Sequence, residues 1–351
     1  MLKLASCYIK QTSSGVNKKI LVTGGAGYVG SVLVRTLLDK GYQVRVLDKL
    51  VFGEEPIKEF QNKIELIKGD VCTVGPEIMD GIDAVIHLAG FSTEPVSQYN
   101  PRYTDLLNHL ATERLAKLAK EKGIKRFIFS SSCSVYFTYT TLPDPLPNKE
   151  IDPINPISAY SISKRAAEQA LLEMADDNFQ PVIFRKGTIC GWSPRMRFDL
   201  IVNAFVKDAF SKRLLTVDAG GQVWRPIIDI QDVIPTYIKA LELPLEKIGS
   251  KIFNISNDNW NAGELAEKVR GVIKDKKGID IKINTRPVNI TRNYKADNAL
   301  FKETFQLAPS RSLDEIIFEI WDHLEKSPEI VNNPIHYNDK WHLQLMEADK
   351  K

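Results

Sequence analysis

Cysteine is scarce in this chain and scattered. The four residues, Cys7, Cys72, Cys133 and Cys190, stand far apart with no CxxC pair, and the five histidines form no HExxH or similar ligand set. Neither a disulfide scaffold nor a structural metal is expected. An excess of one charge is also missing: the formal net charge is +3 over 351 residues. No block of lysine and arginine interleaved with aromatics occurs, which leaves a nucleic-acid partner without support. The longest apolar runs are the size of a β-strand, well short of the ~18 residues that a membrane span needs. The first seventeen residues, MLKLASCYIKQTSSGVN, lack acids as transit peptides do, but they also lack arginine and a convincing apolar stretch. Residues 1–17 are therefore expected to be a short flexible extension of a soluble, cytoplasmic protein.

What is present is an alternation. From residue 18, KKILVTG, QVRVLD, IELIKGD, DAVIHLAG, RFIFSSS and QPVIFRKG are short, nearly continuous apolar runs, the pattern of strands buried on both faces. Helical periodicities separate them, notably SVLVRTLLDKG, LLNHLATERLAKLAKEKG and YSISKRAAEQALLEMA. The fold class that follows is α/β, a doubly wound parallel sheet with ligands beyond the carboxyl ends of its strands. After Arg185 the rhythm loosens. GTICGWSPRMRFD reads as loop, IVNAFVKDAFSKR as helix, KIFNIS as one more sheet strand, IKINTR as a strand, and GELAEKVRGVIKD and LDEIIFEIWDHLEK as amphipathic helices. The expected division is a Rossmann-type domain over 18–186 plus 227–257, a smaller α/β lobe over 187–226 plus 258–330, and a weakly patterned tail over 331–351.

TGGAGYVG follows the first strand and opens the first helix. Gly24 permits a tight turn, Gly27 lets the backbone approach a pyrophosphate, and Gly30 allows the helix to pack closely. Tyr28 and Val29 lie between them, where the helix amino terminus offers free N–H groups to phosphate. Asp48 ends the second strand eighteen residues after Gly30. A carboxylate there accepts ribose hydroxyls and repels a 2′-phosphate, favouring NAD over NADP, although Lys49 blurs the preference and a solvated strand-end aspartate is the alternative. Asp70 and Val71, after IELIKG, are candidates to neighbour the adenine, with a helix cap as the alternative for Asp70.

In AYSISKRAAEQ, Tyr160 and Lys164 stand one helical turn apart and share a face, so a cation there can acidify the phenol. With eleven tyrosines and many lysines, about one such pair arises by chance, and the motif alone decides nothing. Its surroundings carry more weight. The glycine cradle, HLAG at 87–90, SSSCSVY at 130–136, YSISK and RKGTICG, in that order, resemble the extended short-chain dehydrogenase/reductase family, particularly its nucleotide-sugar epimerases and dehydratases. The resemblance runs from about Lys18 to Leu324.

The resemblance implies a seven-stranded Rossmann domain that binds NAD, a carboxyl-terminal lobe that holds a nucleoside diphosphate sugar, and a homodimer formed through the helices near 104–122 and 157–175. It makes Tyr160 the general acid/base, and Lys164 the group that lowers its pKa and holds the nicotinamide ribose. Bringing a phenol from ~10 to near 7 takes about 4 kcal/mol of preferential phenolate stabilisation. By the same resemblance Ser132 holds the reacting sugar oxygen, and Asn108 fixes cofactor and water. Leu88, Ala89, Gly90 and Ser130 line the cofactor. Arg225 and Arg292 meet the diphosphate, and Thr188 and Asn203 complete the sugar pocket. The prolines of LPDPLPNKEIDPINP imply a stiff loop beside the site.

Three departures from the family pattern bear on the sugar: Phe137 for a glycine, Thr188 for an asparagine, and Asp229 for a histidine. Cys133 and Ser134 stand where dehydratases carry an acidic pair, which disfavours 4,6-dehydration. The leading expectation is an NAD-dependent C4 epimerase. A nucleotide-sugar dehydrogenase or ketoreductase is the runner-up, and a non-catalytic NAD-binding regulator the alternative from another class.

Overall fold

The computed structural model describes residues 18–136, 144–287 and 292–348. The expected extension 1–17, Cys7 and Phe137 lie outside the described residues, as do the first two positions of the proline-rich stretch and the last three of the chain.

Five apolar runs become β1 (Lys19–Thr23), β2 (Gln43–Asp48), β3 (Glu65–Lys68), β4 (Ala84–His87) and β5 (Arg126–Ser132). After the short β6 (Pro147–Asn148) come β7 (Gln180–Lys186), β8 (Thr188–Cys190), β9 (Leu214–Asp218), β10 (Trp224–Asp229), β11 (Lys251–Ile255), β12 (Asp258–Asn261), β13 (Lys282–Arg286) and β14 (Lys295–Ala296). Seven of them form one parallel sheet in the order β11-β7-β5-β4-β1-β2-β3, which is the doubly wound arrangement expected from the sequence. β8 and β12 flank β10 in a three-stranded sheet, and β13 pairs with β9.

The principal helices are α1 (Tyr28–Asp39), α2 (Glu94–Tyr99), α3 (Pro101–Asp105), α4 (Ala111–Glu121), α5 (Ala159–Glu173), α6 (Ile201–Lys212) and α7 (Ile230–Glu242). They continue with α8 (Leu245–Ile248), α9 (Ala262–Lys277), α10 (Ala299–Phe305), α11 (Leu313–Lys326) and α12 (Asn338–Ala348). A π-helical turn, Leu106–Leu110, joins α3 to α4. No helix among the described residues is long and apolar enough to cross a membrane.

The strands carry apolar side chains on both faces because both faces are covered. Ile20, Val22, Val46, Ile86, Ile128 and Phe184 point into the core shared with α1 and α7, which continues to α6, α9 and α11. Their alternates Leu21, Leu47, Val85, Phe127 and Ile183 meet Leu115 and Ala119 of α4 and Ala167 and Leu171 of α5. The last twenty residues depart from the sequence reading. Their apolar content is too low for a core helix, yet α12 forms and docks: the Trp341 indole donates to the Val51 carbonyl at 2.7 Å, and Asn338 Nδ2 to Ser92 Oγ at 2.9 Å.

Helix α5 is fixed by charge as well as by apolar packing. Ser158 and Ser161 form a reciprocal capping box at its start. Two turns in, Glu168 is fully buried and accepts from Arg185 Nε at 3.0 Å and Nη2 at 2.8 Å, and from Ser131 Oγ at 2.5 Å. Arg185 Nη1 also donates to the Tyr136 hydroxyl at 2.8 Å, which donates to Asn254 Oδ1 at 2.8 Å. The network joins α5 to β5, β7 and β11. Breaking it leaves a buried charge without its partner, so Glu168→Gln is expected to cost about 3–5 kcal/mol, read as a lower urea midpoint at unchanged slope. Glu168→Leu combined with Arg185→Met is expected to recover most of that loss.

Candidate functional site

A cleft of about 1310 Å³ opens at the carboxyl ends of β1, β2, β4, β5 and β7, and runs on between the sheet and β8, β10 and α6. Its first wall is the glycine turn. Gly24 has φ +73°, and a Cβ there would sit 2.8 Å from the Ala89 nitrogen; one on Gly30 would sit 2.1 Å from the Gly24 carbonyl oxygen. Only glycine leaves this backbone open to a ligand and α1 this close to the sheet. Gly27, Tyr28 and Val29 line the same wall, as do Leu88, Ala89 and Gly90 opposite.

Asp48, Lys49, Asp70 and Val71 close the far end. The Asp48 carboxylate accepts from the Ala26 nitrogen at 2.9 Å and the Leu50 nitrogen at 2.7 Å, and burial raises its pKa against those two bonds. Lys49 Nζ pairs with Asp70 at 3.0 Å, which also accepts from the Cys72 nitrogen, so Asp70 is both a local cap and part of the wall.

At the other end Ser132, Tyr160, Thr188, Arg225 and Arg292 face the cleft. Ser132 neighbours the Tyr160 phenol and lowers its pKa, and its hydroxyl accepts from the Ser134 nitrogen at 3.1 Å. Burial drives the Tyr160 pKa well above its ordinary value; Ser132 and Arg197 lower it, while Glu94 and Tyr294 raise it further. Lys164 stands one turn further along α5. Its Nζ lies behind the cleft wall, donating to the Ser130 carbonyl at 3.0 Å, and burial brings its pKa down to about 8.

Arg225 Nη1 donates to the Arg292 carbonyl at 2.6 Å, and its guanidinium lies 5.0 Å from the Tyr294 ring centre, so the two arginines are held together.

Three further predicted residues sit behind the wall with Lys164. Asn108, in the π turn, is fully buried and donates to the Phe91 carbonyl and Ser163 Oγ, while its Oδ1 has no partner among the described residues. That oxygen borders Gly90 and Lys164, leaving an acceptor beside the cleft. Ser130 presents its carbonyl to Lys164 and its hydroxyl to Tyr237 at 3.2 Å, so it faces the core and not a ligand. Asn203 departs most. Both ends of its amide are engaged, with the Gly191 nitrogen, the Tyr28 hydroxyl and the Arg197 carbonyl, so it braces the 191–197 loop instead of lining the sugar pocket.

Asp229 accepts Arg311 Nε at 2.8 Å and Nη2 at 3.0 Å, an ion pair that accounts for an acid in this strand. Cys133 is buried and donates to the Arg185 carbonyl.

The structure adds residues that sequence reasoning missed. Arg195 stacks 3.6 Å over the Phe52 ring centre and bonds Asn338; Arg197 pairs with Asp199 at 2.5 Å and donates to Ser92 Oγ at 3.1 Å. The repeated arginine in SPRMRFD was the available signal. From α12, Asn338, His342 and Leu345 reach the cleft. Glu94 and Lys186 also line it. Lys186 is opposite Ser132 in the β5–β7 register, with no hydrogen bond or ion pair from a described residue, and burial with Lys164 and Arg197 nearby brings its pKa down to about 7. In RKG the lysine reads as a strand end; only the register turns it inward.

An amine with a folded pKa near 7 and an ordinary value of 10.5 penalises the fold below pH 7, where both states hold the proton. The penalty fades as pH rises toward 10.5. Lys186→Met is therefore expected to raise the melting temperature of the cofactor-free protein at pH 6, by roughly 3–6 °C, with a smaller gain at pH 9.

A model of the family described as the NAD dependent epimerase/dehydratase family matches residues 20–256. Among curated relatives, UDP-glucuronic acid decarboxylase 1 of Arabidopsis thaliana is 33% identical over 318 residues, 86% of this chain and 69% of that protein. UDP-glucose 4-epimerase of Lactobacillus helveticus is 31% identical over 280 residues, 72% of this chain and 82% of that protein. The chain spans about two thirds of the length of the plant decarboxylases it matches, between 61% and 69%. Two solved structures superpose with TM-scores of 0.76, each over 88% of this chain and 99% of the other. They are the UDP-glucose 4-epimerase of Thermotoga maritima with UDP-glucose, at 23% identity, and the UDP-glucuronic acid 4-epimerase of Bacillus cereus with UDP-glucuronic acid and NAD, at 24%. At those identities the likeness is one of fold.

Proposed function

The chain belongs to the NAD dependent epimerase/dehydratase family, and within it we propose that this protein is a nucleotide-sugar epimerase acting at C4 by removal and return of a hydride. The observation that carries the reading is the Tyr160 end of the cleft: Ser132 and Tyr160 face it, and the two residues after Ser132 are Cys133 and Ser134, neither of which is a carboxylic acid.

The glycine turn, Asp48 and the free Asn108 Oδ1 fit a dinucleotide, whose phosphates the α1 amino terminus would meet and whose ribose hydroxyls Asp48 would accept. NAD, when bound, supplies the hydride acceptor and donor and a cationic ring. Ser132 Oγ holds the C4 oxygen, and Tyr160 Oη takes its proton and later gives one back to the opposite configuration. Arg225 and Arg292 hold the diphosphate, a role matched to the guanidinium fork, while the sugar turns over between the two half-reactions. Tyr160 begins too basic for this task. In the cofactor-free chain burial keeps it protonated, so proton transfer waits for positive charge to enter the cleft.

The same reading includes a homodimer. Leu106, Leu110 and Ile162 are exposed at 41%, 45% and 48%, on the π turn before α4 and on α5, the helices the resemblance places at the dimer contact. Leu110→Glu with Ile162→Glu is expected to convert a dimer to a monomer in sedimentation velocity, leaving the circular dichroism spectrum unchanged; a wild-type monomer contradicts it.

The activity test is a panel of UDP-, dTDP-, GDP- and CDP-sugars scored for product stereochemistry and nicotinamide absorbance. Epimer formation without net NADH is expected. Stoichiometric NADH would favour the dehydrogenase alternative, and Tyr160→Phe is expected to lower turnover by about 10²–10⁴-fold with NAD affinity retained.

A further inference from the structure

A hexose in a nucleotide sugar is gripped at two places, the carbon where a proton moves and the anomeric phosphate. In the cleft these places are Tyr160 and the Arg225–Arg292 pair. A carboxylate belongs to the same cleft. Glu94 follows β4, lines the cleft, and exerts its charge on both Tyr160 and Arg225. Both carboxylate oxygens are shut off from solvent, and neither receives a well-formed hydrogen bond from the described residues. The Ser158 hydroxyl lies beside the carboxylate and lowers its pKa, and it also takes part in the α5 capping box, 2.6 Å from Ser161 Oγ. No ion pair from a described residue closes on it: Arg225 is turned to the carbonyls of Trp224 and Arg292.

A buried, unpaired carboxylate is unfavourable, and burial raises its pKa accordingly. A pure capping role for α5 would have satisfied an oxygen on the helix N–H groups, and Ser158 already does that. A ligand that brings hydroxyl or amide N–H donors removes the cost. Spanned between Tyr160 and the two arginines, the ring presents such donors on the edge between the reacting carbon and the anomeric carbon.

Resting on the function proposed above, we infer that Glu94 is a specificity residue that accepts hydrogen bonds from hydroxyl or amide donors on that edge of the sugar. The site therefore selects hexoses that keep those donors and rejects their deoxy counterparts. The carboxylate reads the sugar and not the nucleotide. Removing its charge therefore spares, or strengthens, binding of the diphosphate to the neighbouring arginines.

The test is calorimetry on the NAD-loaded protein with UDP and UDP-glucose, and with dTDP and dTDP-glucose, for the wild type, Glu94→Gln and Glu94→Ala. The wild type is expected to prefer the better sugar conjugate over its nucleoside diphosphate. Each variant is expected to lose about tenfold or more in affinity for the conjugate, the size of a hydrogen bond to a charged group. Affinity for the diphosphate alone and the melting temperature should hold. An equal loss for both ligands assigns Glu94 a structural task and overturns the inference, as does an unaltered preference for the conjugate. A dehydrated product that disappears in Glu94→Gln overturns it in favour of proton transfer. A wild type that binds no sugar nucleotide overturns the function and this inference together. Epimerisation with unchanged Glu94 variants overturns the inference alone.

Discussion

The buried pair between Glu168 and Arg185 is the constraint on which the Tyr160 end of the cleft depends. Tyr160, Lys164 and Glu168 are spaced four residues apart on α5 and form one stripe facing the sheet. Each meets a different partner across it: Tyr160 meets Ser132, Lys164 meets the Ser130 carbonyl, and Glu168 meets Ser131 and Arg185. Three consecutive serines of β5 thus read three consecutive turns of the helix. A pair of charges out of water has no strong claim as a stabiliser, because desolvation offsets attraction. Its value here is register. A helix slipped by one turn would bury an unpaired carboxylate, so Tyr160 has one allowed position along the strand end.

Burial also governs the chemistry. In the cofactor-free chain the phenol is held protonated, Lys164 and Lys186 titrate far below ordinary lysines, and Asp48 and Glu94 are raised. All of these shifts share one leading cause, removal from water. Such a cleft disfavours charge of either sign until a ligand supplies the opposite one. Lys164 donates to the backbone of Ser130, and Arg197 and Glu94, which lie far from Tyr160 in sequence, bear on the phenol.

Much of the fold was legible because its signals are local. Short, nearly continuous apolar runs marked the seven strands, and α11 begins and ends where its amphipathic period does. The glycine turn was legible for a steric reason that one chain segment carries by itself. Asn203 shows the limit. An amide on a helix face looks the same in sequence whether it meets a sugar or, as the structure has it, Tyr28 and the Gly191 loop. Asp229 looked like an anomaly until Arg311, eighty-two residues away, supplied its partner. The tail at 331–351 was unreadable as a helix because its stability comes from Val51, Ser92 and Arg195, none of which its own periodicity reports.

The amino-acid sequence alone determined the doubly wound sheet, the backbone cradle at Gly24–Gly30 and the shared face of Tyr160 and Lys164, since strand period, glycine conformation and helical spacing are set by neighbours along the chain. Tertiary structure decided which charges enter the cleft. Lys186 faces it because β7 lies in register with β5, and Glu94 lines it together with Tyr160 and Arg225 because the segment after β4, the start of α5 and β10 converge there. An electrostatic environment is a sum over groups brought together in space, and no local pattern in the chain encodes that sum.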